Sequence, residues 1–582
     1  MSPLADDELS PLLESVDRTR LSKHLDWCAD VRRDTGGPGE AKMVEYIVDT
    51  LAADNIAVTV HEFDAFLSYP RHAVIEVLAP EPRTIRCVTH SFATSTGLNG
   101  LTGGLKYLPN KIMKDGAGRV ALVDGLAMPI EVLQASEAGV QALIFANAEW
   151  YIHNMIVTTI WGGAPTPDQV DRLPSIPVVS IAHEDGDWLK KMLSAGPVEL
   201  RITTEVETGW KRVQLPEVRI PGASGSKDFV LVGGHYCSWE VGITDNSTGV
   251  ASLLEIARSL HANRHKLARE VRVAWWPGHS QGRYAGSTWY ADHFFEDLAD
   301  HCVAYHNIDS PGVKGATKYI LRHTSAEIEA YGREAVESQT EQRNPDVHRP
   351  SRAADQSFLA NGVPSCSLYS FLPDGHPDSR PWTGGGASAW WWHSEHDTRD
   401  KADEDILAKD TRLSVKFVAG LATETVYPLD FNYLAQETFD FLVAAREASR
   451  PYLDLDSVVG AADDLVSATR RLNAALKSNA SGDPESANEV LRRLARKLIP
   501  LIYTAEGRYT HEVADITPKM STHTASLYPG LNKAFGLGAL TGENERGFLL
   551  AGLVRQANRF RTELRDATAI AEAYIGSLVG TN

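Results

Sequence analysis

Four stretches of this chain carry side chains of the kind that hold a divalent cation, and each follows an apolar run. Phe229-Val-Leu-Val-Gly-Gly ends in His235, and the next loop carries Asp245-Asn-Ser-Thr-Gly ahead of a helical pattern. Val271-Arg-Val-Ala-Trp-Trp is followed by Pro-Gly-His279-Ser280, Cys302-Val-Ala-Tyr-His-Asn-Ile ends in Asp309, and Trp392-His393-Ser-Glu-His-Asp397 comes later. Imidazoles mixed with carboxylates suit zinc, manganese, iron or cobalt and do not choose among them. Each stretch alone has a bland account: Asp245 as a helix N-cap, a lone histidine as a hydrogen-bonded structural group. Four together at strand ends, where open α/β sheets gather their ligands, are much harder to dismiss as structural and point to a metal site.

The elements that must position these residues are legible in the apolar periodicity. From Phe229 onward strand and helix patterns alternate, which predicts an α/β fold with a mostly parallel central sheet and helices on both faces. Val250, Leu253, Leu254, Ala257 and Leu260 recur at helical spacing, and further helices are expected over Tyr284 to Phe294 and Ser325 to Ser338. Upstream, helices are expected from Asp7 to about Arg33 and from Glu40 to Ala53. Between 88 and 207 the character changes: strands at Arg119 to Asp124, Ala142 to Ala146 and Ile176 to Ile181, an Ala-rich helix and a Pro/Gly-rich loop read as an inserted unit. After Phe431 strand patterns cease, and helices are expected at Leu434 to Ser449, Ser457 to Leu476, Glu485 to Tyr503 and from Glu545.

Composition excludes several classes. The chain has 582 residues, 57 basic and 76 acidic, for a formal charge of −19, which argues against nucleic acid as a partner. Its five cysteines, Cys28, Cys87, Cys237, Cys302 and Cys366, form no CxxC pair, so neither a disulfide framework nor a cysteine-rich zinc module is expected, and a reducing compartment fits. The opening Met-Ser-Pro-Leu-Ala-Asp-Asp-Glu is acidic where a secretory leader is basic, and no apolar run nears the ~18 residues of a membrane span. The expectation is a cytoplasmic chain with no membrane partner.

The order His235, Asp245-Asn-Ser-Thr-Gly-Val-Ala, Trp-Trp-Pro-Gly-His279-Ser280-Gln-Gly-Arg-Tyr-Ala-Gly-Ser287, Asn-Ile-Asp309 and His393-Ser-Glu-His-Asp-Thr resembles the di-zinc aminopeptidases. Within them it is most similar to the branch of glutamate carboxypeptidase and the transferrin receptor. The resemblance implies a discontinuous catalytic domain over 1–87 and 208–430, a protease-associated β/α domain over 88–207, and an all-helical domain over 431–582 through which two copies pair as a homodimer. It also implies that His235 and Asp309 hold one metal, Asp245 bridges to a second, and His393 serves that second ion, with zinc the first expectation and one or two ions bound.

The departures from that pattern bear on mechanism. Cys237 stands where the family has an acid that orients the first histidine, and His279 and Ser280 replace two consecutive glutamates, the base and a ligand. A serine hydroxyl is a poor substitute for a carboxylate ligand, which puts a conventional second site in doubt. His279 has three readings: a base, since imidazole titrates near ~6.5; a ligand beside His235 and a carboxylate; or a relic. Cys237 is either a thiolate ligand or a buried thiol under the loop. Trp392, ending Ala-Trp-Trp-Trp, suggests an apolar wall beside the metal, and Asp355 either meets a substrate amine or caps a helix containing Phe358. The leading expectation is a metal-dependent hydrolase of peptide or amide bonds with a peptide or small-molecule substrate. The alternatives are a lyase or amidase on a small non-peptide substrate, and a non-catalytic, receptor-like homologue.

Overall fold

The computed structural model describes residues 6–478, 483–505, 507–513 and 527–579; the opening residues 1–5 of the acidic start lie outside that range. At its centre three strands run parallel: Phe229–His235 in the middle, Glu270–Trp276 on one side and Cys302–Asn307 on the other. Every residue of Phe229–His235 and of Cys302–Asn307 is buried, as expected for strands covered on both faces. Successive residues point to opposite faces. Val230 and Val232 therefore join the cluster formed with Leu21, Ile47, Leu253 and Leu413 of the helices Arg18–Cys28, Pro38–Ala53, Thr248–Ala262 and Glu404–Thr423. Phe229 and Leu231 pack on the other face with Trp276, Tyr290 and Phe358.

A two-stranded ribbon flanks this core. Thr59–Ala79 and Glu199–Ile220 pair antiparallel from Thr59↔Glu217 to Ala79↔Glu199, with a register shift between Pro70 and His72. One end of Glu199–Ile220 pairs with Glu270–Trp276, and its other end pairs with Leu101–Tyr107. Beyond that strand, Val120–Asp124, Ala142–Ala146 and Val178–Ile181 continue in parallel, and Val88–Thr89 closes the edge antiparallel. Core and outer lobe thus share one sheet of eleven strands. The expected boundary at 207/208 falls inside Glu199–Ile220. Its middle, Glu-Val-Glu-Thr-Gly-Trp-Lys-Arg, has no apolar face to announce a strand, because the ribbon there is exposed or half-buried on both sides.

The first expected helix is divided. Asp6–Glu14 and Arg18–Cys28 are separate, and Asp17 caps the second by accepting the Thr19 and Arg20 amides at 2.7 and 3.3 Å; one carboxylate satisfies two of the four orphan donors at a helix start. Among the described residues from 431 onward there is no strand. Four long helices occupy that region, Phe431–Ser449, Asp456–Ser478, Pro484–Tyr503 and Glu543–Val579.

Candidate metal centre

The parallel core strands end at a common edge, and there the expected side chains converge. His235 closes its strand and turns Nε2 toward Asp245 Oδ1 at 3.0 Å and Asp309 Oδ1 at 3.6 Å. One ligand atom from each of these three residues lies within 4.8 Å of the others. His235 Nδ1 donates to the Cys237 carbonyl at 3.0 Å, which leaves the ring's lone pair on Nε2. Nε2 is buried and has no aligned hydrogen-bond partner. Burial disfavours charge on this imidazole, yet Asp245 and Asp309 outweigh it and hold His235 well above its ordinary value; contacts with His235 and His393 hold Asp245 well below its own despite burial. The box calls for a positive charge among its three donors, and the poor alignment on Nε2 suits a cation better than a proton. His235, Asp245 and Asp309 therefore fit one divalent ion.

Asp245 also faces the other way. Its Oδ2 is 3.2 Å from His393 Nε2, so one carboxylate oxygen addresses each histidine, the disposition a bridging ligand requires. His393 Nδ1 donates at 2.8 Å to the carbonyl of Asn154, which belongs to the outer lobe. Behind His393 the Trp392 ring stacks at 3.6 Å, and it has room because Gly385 and Gly386 lack side chains: a Cβ on either would lie 2.5 or 2.4 Å from the indole. Among the described residues no carboxylate besides Asp245 pairs with His393. Ser280, in sequence the natural candidate, is buried against Cys237, Sγ to Oγ 4.0 Å.

Two side chains that sequence reasoning left out hold the ligand loops. Asn246 is fully buried; its Nδ2 donates to the carbonyls of His235 and Ile308, both at 3.0 Å, and its Oδ1 accepts the amides of Gly249 and Ser310 at 3.1 and 3.0 Å. It ties the His235 strand end, the Asp245 loop and the Asp309 strand end to one another. Asp397 accepts from the Thr244 amide and hydroxyl at 2.9 and 2.8 Å and from the Asp245 amide at 3.0 Å. Burial, with the Asp245 charge beside it, pushes its carboxyl up to about 7. Both residues stand inside motifs visible in the sequence, but nothing in the spacing distinguishes a staple from a ligand.

His279 lies beside the cluster of His235, Asp245 and Asp309 rather than within it. Its ring stacks on His235 at 3.8 Å with 18° between planes, and its Nδ1 meets Asp355 Oδ2 at 2.8 Å. Asp355 is fully buried and also accepts from Ser287 Oγ at 3.1 Å. No helix follows Asp355 through Phe358, so it caps none there; its two oxygens face His279 and Ser287. Cys237 is also outside that cluster. It lies 4.0 Å from His235 Nδ1, on the ring edge facing away from the carboxylates. Burial raises its thiol, but His235 and His279 outweigh that and bring it to about 7.

These groups open on a cavity of about 100 Å3, lined by Asp245, His279, Asp309, Trp392 and His393 with Arg283, Tyr284 and Tyr369 from the core and Met128 and Met155 from the outer lobe. Trp392 thus stands in the cavity wall. Arg283, Tyr284, His323, Ala354 and His393 all take left-handed φ values, between 44° and 71°. Such conformations cost of order 1–3 kcal/mol each for side-chain-bearing residues and cluster at functional sites.

The chain combines a parallel-stranded α/β core, a cluster of possible metal ligands at its edge and a histidine–aspartate pair beside it. Residues 218–418 match the model of Peptidase family M28. Its relatives include a probable glutamate carboxypeptidase, VP8, of Zea mays, 23% identical over 352 residues that make up 48% of this chain and 49% of that protein. Another is a probable lipoprotein aminopeptidase, LpqL, of Mycobacterium tuberculosis, 26% identical over 53% of this chain and 61% of that protein. The chain thus spans about half to three fifths of the length of these relatives. The fold is that of the aminopeptidase from Aneurinibacillus sp., with a TM-score of 0.55 at 20% identity over 71% of this chain and 95% of that one. A peptidase M28 precursor from Shewanella amazonensis matches at TM-score 0.58 and 17% identity, over 72% and 96%.

Proposed function

We propose that the protein is a metal-dependent hydrolase of peptide or amide bonds in which His279, positioned by Asp355, is the general base. The carrying observation is the His279–Asp355 pair beside the His235, Asp245 and Asp309 cluster, at the place where the sequence lacks the family's glutamates. His235, Asp245 and Asp309 would hold one divalent ion, zinc first among the candidates. His393 with the second oxygen of Asp245 offers a weaker second position. When bound, such an ion polarises a carbonyl and acidifies water.

The remaining work falls to the chain's own groups. Asp355 fixes the imidazole with its proton on Nδ1, leaving Nε2 as the basic atom and steadying the imidazolium formed when Nε2 takes a proton from water. The same Nε2–H can then be given to the departing nitrogen. Stacking of His279 on His235 keeps the base beside the metal ligands without entering their set. Trp392, Met128 and Met155 exclude bulk water from the cavity. A cavity of about 100 Å3, against roughly 300–1,000 Å3 for sites that hold drug-sized ligands, favours a compact amide over a long peptide and keeps the small-substrate amidase in view. The cluster and the base together speak against a purely receptor-like role.

Replacing His279 separates the roles. His279→Ala should keep the metal content of the wild type by elemental analysis while kcat falls about 10²–10⁴-fold. Metal lost along with activity would return His279 to the ligand set. Failure of metal-supplemented wild-type protein to turn over aminoacyl anilides, acylated amino acids or dipeptides would overturn the hydrolase itself.

A further inference from the structure

A second cavity, of about 640 Å3, lies between the short helix Phe295–His301 of the core and the two C-terminal helices Pro484–Tyr503 and Glu543–Val579. Six of its lining side chains are basic, Arg492, Arg493, Arg496, Lys497, Arg508 and Arg559, against three that are acidic, in a chain whose formal charge is −19. Two of those acids are already committed, Glu489 to Arg492 and Glu563, at 3.0 Å, to Lys497. Among the described residues the ion pairs of this region are made by Arg492, Lys497 and His511, and none reaches Arg493, Arg496 or Arg508. Arg493 stands exposed at the rim. The Arg496 guanidinium donates to the main-chain carbonyls of Ala299, Gly362, Leu298 and Cys302, the last two at 3.0 and 2.7 Å. Carbonyls satisfy its N–H groups without cancelling its charge. Burial, and then the charges of Arg492 and Arg508, bring it down to about 10, so at neutral pH it keeps its proton with like charges for neighbours.

Cations gathered in a concave site without matching acids focus a positive potential and draw in anions. The planar fork of arginine matches phosphate oxygens in bidentate fashion, and a phosphate chain has oxygens enough for several forks. The volume falls within the roughly 300–1,000 Å3 of sites that enclose small ligands. We propose that this cleft binds a small polyphosphate, either inorganic or the phosphate chain of a nucleotide, and that it is separate from the metal centre and independent of the hydrolase reading. Arg493 and Arg508 would grip the phosphates, while Arg496, tied down by four carbonyls, supplies fixed charge in the wall. Its place in the fold keeps the two sites apart. Arg492 pairs at 2.9 Å with Asp228, the residue just before the strand Phe229–His235, whereas His235 closes that strand at its other end. Strand residues advancing ~3.3 Å each put about 23 Å between Asp228 and His235.

The test is calorimetric titration of the full chain, as purified and again after metal removal, with tripolyphosphate, inorganic phosphate, citrate and ATP. Tripolyphosphate should occupy a single site per chain about tenfold more tightly than phosphate or citrate, with the same affinity in both preparations. Arg493→Gln, a change at an exposed position, should weaken it about tenfold, as the loss of a charge-assisted hydrogen bond does. Adding Arg508→Gln should bring the loss to about 100-fold; if that double variant fails to fold, Arg493→Gln alone decides. Lys42→Gln, which removes an exposed cation from the helix Pro38–Ala53 instead, should leave the affinity unchanged. ATP binding more tightly than tripolyphosphate would support the site and assign it to a nucleotide, and equal or weaker ATP binding would support it as a site for the inorganic chain. No saturable binding of tripolyphosphate, binding that disappears with the metal, citrate binding as tightly as tripolyphosphate, full affinity in Arg493→Gln, or an equal loss in Lys42→Gln would each overturn the proposal.

Discussion

Asn246→Ala is the most informative single change near the metal centre, because it touches no ligand and disconnects all three. The amide makes four hydrogen bonds of 3.0–3.1 Å to main-chain groups of His235, Ile308, Gly249 and Ser310, in a place water does not reach. Truncation strands two carbonyls and two N–H groups. At ~1–3 kcal/mol for each buried unsatisfied group the raw sum is about 4–12 kcal/mol, and relaxation of the loops brings the expected loss to ~3–5 kcal/mol, the upper end for one substitution. Urea unfolding of metal-free wild-type and variant protein measures that loss directly. Since His235, Asp245 and Asp309 then lose their common tie, metal affinity by chelator competition should fall about 10–100-fold, as for other positioning groups around metal ligands. Asn246→Asp keeps the shape but turns an oxygen toward two carbonyl oxygens, and should be at least as damaging. A variant that unfolds within about 1 kcal/mol of wild type and binds metal with unchanged affinity would show that the ligand loops are held by something other than Asn246.

Two further outcomes are expected. Gly385→Ala places a methyl group 2.5 Å from the Trp392 indole, so Trp392 and the His393 ring stacked on it must shift; a stability loss of ~1–3 kcal/mol with roughly tenfold lower activity is expected, and an unchanged melting temperature and activity would refute the packing argument. Glu40, in the first turn of Pro38–Ala53, accepts the Gly36 amide at 2.7 Å, and burial pushes its carboxyl up to about 8 from 4.5. The native state therefore keeps a proton the unfolded chain loses, and that stabilisation, complete below about 4.5, is lost as pH rises to 8. Glu40→Gln, neutral throughout, should gain on wild type over this interval by up to ~5 kcal/mol, measured as urea midpoints at pH 5 and 8; parallel pH profiles would count against it.

Much of this site is legible in the sequence because ligand types at strand ends are a one-dimensional signal. His235, Asp245, Asp309 and His393 come together as expected. The partners of each are another matter. Asp355 reads as a cap or a substrate contact, since nothing local shows that it meets His279, 76 positions away. Asn246 hides within a motif whose neighbour takes the attention. The buried runs Phe229–His235 and Cys302–Asn307 are plain from apolarity alone, whereas the ribbon Glu199–Ile220 escapes because half of it faces water on both sides and has no period to read. Arg283 illustrates the same limit: nothing in its Gly-Arg-Tyr-Ala-Gly stretch shows that its Nε and Nη2 are buried with no hydrogen-bond partner among the described residues.

The ribbon has a mechanical consequence. Thr59–Ala79 and Glu199–Ile220 form a single hydrogen-bonded beam with the catalytic strands bonded at one end and the outer lobe at the other. That lobe supplies the Asn154 carbonyl that seats His393 and the methionines of the cavity wall. A swing of the outer lobe therefore has to bend the beam, with the register shift between Pro70 and His72 as its natural weak point, and the same flexure would tug on His393. Entry to the cavity and the grip of His393 on Asp245 are in this way geared to one spring, and stiffening the ribbon should slow both together.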